Sequence, residues 1–267
     1  MDTKPGKVYL VGAGPGDPGL LTIKAYKALK QCDVIIYDAL VNPEILAYVP
    51  QDAERIFIGP SRHKSRITQR EIEQVMIEKA SQGCMVVRLK GGDPFIFGRG
   101  GEEAEAVTKA GIAWEVIPGI SSGIAVPAYA AIPLTHRDCA SSVGFITGHQ
   151  CLNKATIQWD KLRVALNTLV IFMGVCKFKE IINKLLECQY DPDTPIAIIE
   201  SGTTPAQKIR TGTLGTIIEN IEKDAIHTPA LLVVGEVVAY RDKLIKHFSP
   251  DKLEYETIKE LMVNELS

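Results

Sequence analysis

Along the first half of the chain, short apolar runs are separated by longer helical stretches. Val8-Tyr9-Leu10-Val11 is followed by a helix-like stretch over 20–30 and then by Asp33-Val34-Ile35-Ile36-Tyr37. Further apolar runs lie at 55–58, 85–89 and 114–117, and helices are predicted over 68–82 and 102–110. Apolar runs of this length read as strands buried on both faces, and their alternation with helices predicts a parallel sheet. Gly111 stands where the second of these helices should stop, since glycine takes the left-handed turn at no steric cost.

A turn-rich segment follows, Pro118-Gly119-Ile120-Ser121-Ser122-Gly123. It marks the expected boundary between an N-terminal α/β domain over 1–118 and a C-terminal α/β domain over 119–246. Strands are predicted in the second half at 142–147, 169–173, 195–199, 207–211 and 230–234. Gln207-Lys208-Ile209-Arg210-Thr211-Gly212-Thr213 alternates polar and apolar positions as an exposed antiparallel strand does, so the second sheet is expected to be mixed. Residues 247–267 read as an amphipathic tail helix without evident chemistry.

Composition changes this picture little. With 46% hydrophobic and 23% charged residues, the chain is an ordinary globular one with enough interior for two modest cores. A formal net charge of −2 provides no general basic field for nucleic acid, so an anionic ligand needs a local basic pocket. The N-terminus runs into the first strand without the apolar core of a signal peptide, and no run approaches membrane-spanning length; a cytoplasmic location is expected. Cysteines 32, 84, 139, 151, 176 and 188 show no C-x-x-C pair and no His at ligand spacing, so neither disulfides nor a metal site are expected.

Chemistry is concentrated in two glycine loops. Gly12-Ala13-Gly14-Pro15-Gly16-Asp17-Pro18-Gly19 lies between the first strand and the first helix, where open α/β sheets bind ligands, with Asp17 and Pro18 as an N-cap and first-turn pair. A dinucleotide fingerprint is one reading, with Asp38 as the ribose-binding acid of a nicotinamide-dependent oxidoreductase. Asp17 at the sixth motif position and the stiff Pro15 argue against it. The second loop, Arg88-Leu89-Lys90-Gly91-Gly92-Asp93-Pro94-Phe95-Ile96-Phe97-Gly98-Arg99-Gly100-Gly101-Glu102-Glu103, places five glycines in eleven positions. Their entropic cost on folding is hard to justify in a mere connector.

Together these two loops resemble the tetrapyrrole methylase family. The likeness continues in order through Val116-Ile117-Pro118-Gly119-Ile120-Ser121-Ser122, Ile132-Pro133-Leu134-Thr135-His136-Arg137, Phe172-Met173-Gly174, Glu200-Ser201-Gly202-Thr203 and Pro229-Ala230-Leu231-Leu232-Val233-Val234-Gly235-Glu236-Val237-Val238. The resemblance implies two α/β domains with a ligand cleft between them, a homodimer, and S-adenosylmethionine as methyl donor, with no metal. The implied acceptor is a reduced tetrapyrrole, uroporphyrinogen III, methylated at C-2 and C-7 to precorrin-2; a later corrinoid intermediate is the alternative. By motif it also implies that Pro15, Gly91, Gly92, Asp93, Ile96, Ser121, Ser122, Met173, Gly202 and Ala230 hold the cofactor. Many relatives carry Arg where this chain has Ala39 and Lys where it has Pro60, so two positive charges are missing near the expected substrate mouth.

A polycarboxylate acceptor needs cations placed for bidentate contact. Candidates are Arg62, His63, Lys64 and Arg66 in one loop, Arg99 in the second glycine loop, and Arg137. Attack by a pyrrole carbon on the methyl group builds positive charge on the ring, which a nearby carboxylate would stabilise. Asp38, at the carboxyl end of a strand, is the candidate. Arg99 stays charged at any accessible pH and is assigned to orienting substrate carboxylates. Glu102 either holds Arg99 or meets the substrate. His136 is equally readable as a base or as a structural residue.

Overall fold

The computed structural model describes residues 6–59, 67–148, 157–221 and 225–248. The loop carrying Pro60, Arg62, His63, Lys64 and Arg66, as well as Cys151 and the tail from 249 onward, lies outside the described residues.

The first half forms a five-stranded, wholly parallel sheet from β1 (Lys7–Gly12), β2 (Val34–Tyr37), β3 (Glu54–Phe57), β4 (Met85–Lys90) and β5 (Ala113–Ile117), in the order β3-β2-β4-β1-β5. Alternation along each strand sends side chains to two opposite faces. One face packs Val11, Ile35, Val87 and Leu89 against α1 (Ile23–Leu29) and the 3₁₀ segment Pro43–Tyr48. The other packs Val8, Leu10, Ile36 and Val86 against α2 (Gln69–Ser81) and α3 (Gly100–Lys109). Helix α2 begins where the sequence predicts, because Thr68 and Glu71 form a reciprocal capping box. Helix α3 stops at Gly111, whose φ of +71° only glycine takes freely.

Three boundaries differ from expectation. Asp17 caps only a 3₁₀ turn, Pro18–Leu20, by accepting from the Gly19 N–H; α1 itself starts three residues later with Thr22 as its N-cap. Strand β4 runs one residue past its expected end, through Lys90, so Lys90 joins Arg88 in the sheet. Helix α3 starts at Gly100, two residues before the predicted start.

A helix that follows β5 directly, α4 (Ser122–Tyr129), leads to the second sheet. Its strands are β6 (Val143–Thr147), β7 (Thr168–Phe172), β8 (Pro195–Glu200), β9 (Lys208–Thr213) and β10 (Ala230–Val234), in the order β6-β7-β10-β8-β9. Strands β6 and β7 are parallel, while β10 runs antiparallel to both β7 and β8, and β9 antiparallel to β8, so the sheet is mixed as predicted. One face buries Leu169, Ile171, Ile198 and Leu232 under α5 (Trp159–Ala165), α6 (Phe178–Glu187) and α7 (Ile217–Ile221). The other buries Val170, Ile199, Leu231 and Val233 under α4 and the 3₁₀ turn Glu236–Val238. A short helix, α8 (Arg241–Leu244), and a 3₁₀ turn, Ile245–His247, end the described chain. No helix among the described residues is long and apolar enough to cross a membrane.

Candidate active site

Because every strand of the first sheet runs the same way, the loops leaving β1, β2, β4 and β5 collect at one edge, where such sheets bind ligands. Gly14 and Gly92 exchange two backbone hydrogen bonds there, Gly92 N–H to Gly14 O at 2.7 Å and Gly14 N–H to Gly92 O at 3.2 Å. A Cβ on Gly12 would lie 2.4 Å from Gly119 N, and one on Gly119 only 2.3 Å from Gly92 O. Part of the glycine content therefore serves backbone-on-backbone packing between three strand ends. Asp93 ties the same region together: its carboxylate accepts from Phe95 N–H at 2.8 Å and from Gly119 N–H at 3.1 Å. Gly92 itself, with a φ of +68°, lies against the start of α4: a Cβ there would meet Ser122 N at 3.7 Å and Ser121 Cα at 3.9 Å, ordinary van der Waals contact. The Ser121 hydroxyl caps α4 by accepting from Gly123 N–H.

One edge of the second sheet faces this one. It carries Met173 at the end of β7, Ser201 and Gly202 at the end of β8, and Ala230 at the start of the antiparallel β10. Two hydrogen bonds join the edges: Asp17 N–H donates to Thr203 Oγ1 at 3.1 Å and the Tyr129 hydroxyl to Asp17 Oδ2 at 2.8 Å. The Phe97 ring packs on Phe172 at 5.0 Å. Burial, then the bond to Asp17, pushes the Tyr129 hydroxyl up to about 12, so it remains a donor. Among the described non-glycine residues with positive φ, Phe97, Arg99, Met173, Ser201 and Thr203 all sit on these two edges. Backbone strain of this kind persists only where surrounding structure imposes it, and it concentrates at ligand sites.

The ten residues expected to hold the cofactor come from six strand ends, and all lie on the facing edges. Ile96 and Met173 leave apolar surface uncovered there, at 38% and 51% exposure. Side-chain-free backbone at Gly91-Gly92, a capping serine at Ser121 and half-exposed apolar side chains fit a ligand with a polar amino-acid end and an apolar, ring-bearing remainder.

Asp38 directly follows β2. Its Oδ1 accepts from Leu40 N–H at 3.0 Å, and its Oδ2 lies 3.6 Å from Nη2 of Arg88, so the carboxylate is held from two sides. Arg99, in the left-handed conformation ahead of α3, donates Nε and Nη2 to the two carboxylate oxygens of Glu102 at 2.9 and 2.7 Å. Both are more than half exposed; their hydrogen bonds raise Arg99 and lower Glu102 from their ordinary values, keeping both charged. Of the two sequence readings of Glu102, the structure shows the one in which it holds Arg99. Arg137 is exposed on the loop between α4 and β6, where His136 stacks on Tyr240 at 4.0 Å.

Beneath Asp38 lies a group that pattern reading passed over. Glu103, fully buried, accepts from Lys90 Nζ at 2.9 Å on both oxygens, from Arg88 Nε at 3.1 Å and from Gln69 Nε2 at 3.2 Å. Arg88 further donates Nη1 to the carbonyls of Leu89 and Ile36. The sequence signal was present in the spacing. Arg88 and Lys90 continue the face that begins at Val86, and Glu103 lies on the same buried stripe as Ala104 and Val107.

Residues 7–218 match the family of tetrapyrrole (corrin/porphyrin) methylases. A uroporphyrinogen-III C-methyltransferase of Bacillus subtilis is 51% identical over 240 residues, covering 90% of this chain and 93% of that protein. A siroheme synthase of Pseudomonas fluorescens is 48% identical over 240 residues, covering 90% of this chain but 52% of that protein, so the likeness takes in about half of it. The crystal structure of uroporphyrin-III C-methyl transferase from Thermus thermophilus complexed with S-adenyl homocysteine superposes with a TM-score of 0.74 at 38% identity. It covers 88% of this chain and 99% of that one.

Proposed function

This chain belongs to the tetrapyrrole (corrin/porphyrin) methylase family, and on that premise we propose that it transfers methyl groups from S-adenosylmethionine to C-2 and C-7 of uroporphyrinogen III, giving precorrin-2. The observation that carries this reading is the pair of facing loop edges, with bare backbone at Gly91-Gly92 on one and Met173, Gly202 and Ala230 on the other. It stands beside a relative that is 51% identical over 240 residues, covering 90% of this chain and 93% of that protein.

S-adenosylmethionine, when bound, supplies an electrophilic methyl group. Pro15, Gly91, Gly92, Asp93, Ser121, Ser122, Gly202 and Ala230 hold it, largely through main-chain groups, and Ile96 and Met173 give apolar contact. Positioning supplies most of the catalysis, since a pyrrole carbon needs no activation by a base. Asp38, fixed by Leu40 and Arg88, faces the charge that develops on the ring. Arg99 exchanges Glu102 for a substrate carboxylate, so acceptor binding costs it little desolvation. Arg62, His63, Arg66 and Arg137 supply the remaining cations for the substrate carboxylates, where Ala39 and Pro60 contribute no charge. The nicotinamide alternative is set aside, because Asp17 stands at the motif position that close helix packing requires to be small, and it is engaged with Thr203 and Tyr129. A division into domains at 118/119, a homodimer and a cytoplasmic location complete the proposal.

Anaerobic incubation with uroporphyrinogen III and S-adenosylmethionine should add two methyl groups by mass, at C-2 and C-7. Absence of any methylation, with S-adenosylhomocysteine bound normally, would overturn the acceptor assignment.

A further inference from the structure

The buried cluster under Asp38 does not balance its own charge. Arg88 and Lys90 are cations, Glu103 is the one carboxylate buried with them among the described residues, and both lysine and arginine are nearly fully buried. An uncompensated buried cation is costly, so a further anion is expected within reach. Asp38 is that anion. Its Oδ2 lies 3.6 Å from the Arg88 guanidinium, and it alone of the four charged groups is partly exposed, at 28% against 5% or less for the others.

We propose that Glu103, Arg88 and Lys90 are positioning residues that act as a fixed, net-positive floor, for which Asp38 serves as the exposed counter-ion. The inference rests on the reading of Asp38 given above. The floor sets the place of the carboxylate that faces the substrate, through the Arg88 guanidinium beside it. Glu103 orients Arg88 through Nε, Arg88 presents Nη2 to Asp38, and Lys90 supplies the excess charge. Burial, then the neighbouring Arg88, lowers Lys90 from its ordinary value despite its contact with Glu103, as expected where cations outnumber anions. Among the described residues, the other charges acting on these groups lie on α2 and at the start of α3. Glu102 acts on Lys90 from the start of α3 but is paired with Arg99, and Glu73 on α2 acts on Arg99. Gln69 is neutral.

A floor acting by charge predicts opposite responses to removing its two signs. Lys90→Met withdraws a cation from Asp38, so its carboxyl is protonated at higher pH and the acid limb of the kcat profile moves up by about 1 pH unit. Glu103→Gln withdraws an anion, and the same limb moves down by a similar amount while KM for S-adenosylmethionine holds within about threefold. The K90M/E103Q double variant restores the charge count, and its limb returns close to that of the parent. A purely architectural role predicts instead no opposed movement, and a double variant worse than either single one.

Asp38→Asn, measured beside these, separates the two levels of the argument. If D38N keeps the acid limb, the reading of Asp38 itself fails. If D38N loses it, but K90M and E103Q shift the limb in one direction or not at all, the charged-floor inference alone fails. Should E103Q not fold, K90M decides by itself, and a limb that is unmoved or moved down overturns the proposal.

Discussion

Asp93 offers the most direct test of how the site is held together, because one carboxylate joins two strand ends. Asp93→Ala removes the bonds from Phe95 N–H at 2.8 Å and Gly119 N–H at 3.1 Å together. A hydrogen bond to an ionised acceptor contributes about 1.5–3 kcal/mol, and partial exposure here favours the lower end, so the pair is worth about 3 kcal/mol. At about 1.4 kcal/mol per decade, a loss falling wholly on the arrangement of the loops lowers affinity for S-adenosylhomocysteine about 100-fold. Asp93→Asn keeps one acceptor oxygen but sets an amide N–H₂ against a backbone donor. One bond goes with the charge, and the loss is about 10-fold. Titration calorimetry with S-adenosylhomocysteine measures the affinity, and thermal unfolding of the ligand-free protein measures any part of the loss spent on stability, at about 2–4 °C per kcal/mol. A D93A protein that unfolds at the parent temperature and binds within twofold of the parent would refute the reasoning.

Gly202→Ala should be destabilising by about 1–3 kcal/mol, since the new Cβ meets both γ-carbons of Val126 at 2.4 Å; truncation in G202A/V126A should recover much of the loss in chemical denaturation. The Glu115 carboxyl is held down to about 2 by the hydrogen bonds of Lys24 and then Lys7. A depressed carboxylate stabilises the fold above its unfolded value near 4.5, and that contribution disappears as pH falls toward 2. Glu115→Gln should therefore unfold at a urea midpoint less sensitive to pH across that window; an unchanged slope would exclude the pair from acid stability.

The strands of both sheets were legible because their apolar runs are bounded by turn residues, and Thr68 and Gly111 announced helix ends through side-chain and backbone chemistry that acts locally. The start of α1 was misplaced because Asp17 and Pro18 satisfy the rule for a helix start equally well as a single 3₁₀ turn. The order of the motifs was legible along the chain, and the fold brings the ten residues proposed to hold the cofactor, four of them glycine or proline, to the two facing edges. What stayed hidden was the role of groups whose partners are remote in sequence. Nothing local marks Glu103 as buried, for a glutamate in a first helical turn is ordinarily solvated, and only the packing of α3 on β4 brings it to Arg88 and Lys90. The use of Gly12 and Gly119 to let loops touch each other, and not only a ligand, was hidden for the same reason.

The bond from Asp17 N–H to Thr203 Oγ1 spans 186 positions of sequence. On a ribosome adding 5–20 residues per second, the first glycine loop emerges roughly 10–40 s before the residue that completes its setting. Tyr129 and Phe172, which also meet that edge, come earlier in the chain, and Ala230 comes later, so the facing edge is assembled stepwise. Affinity for S-adenosylhomocysteine should therefore rise only once β8 and β10 have been made, however early the first glycine loop was.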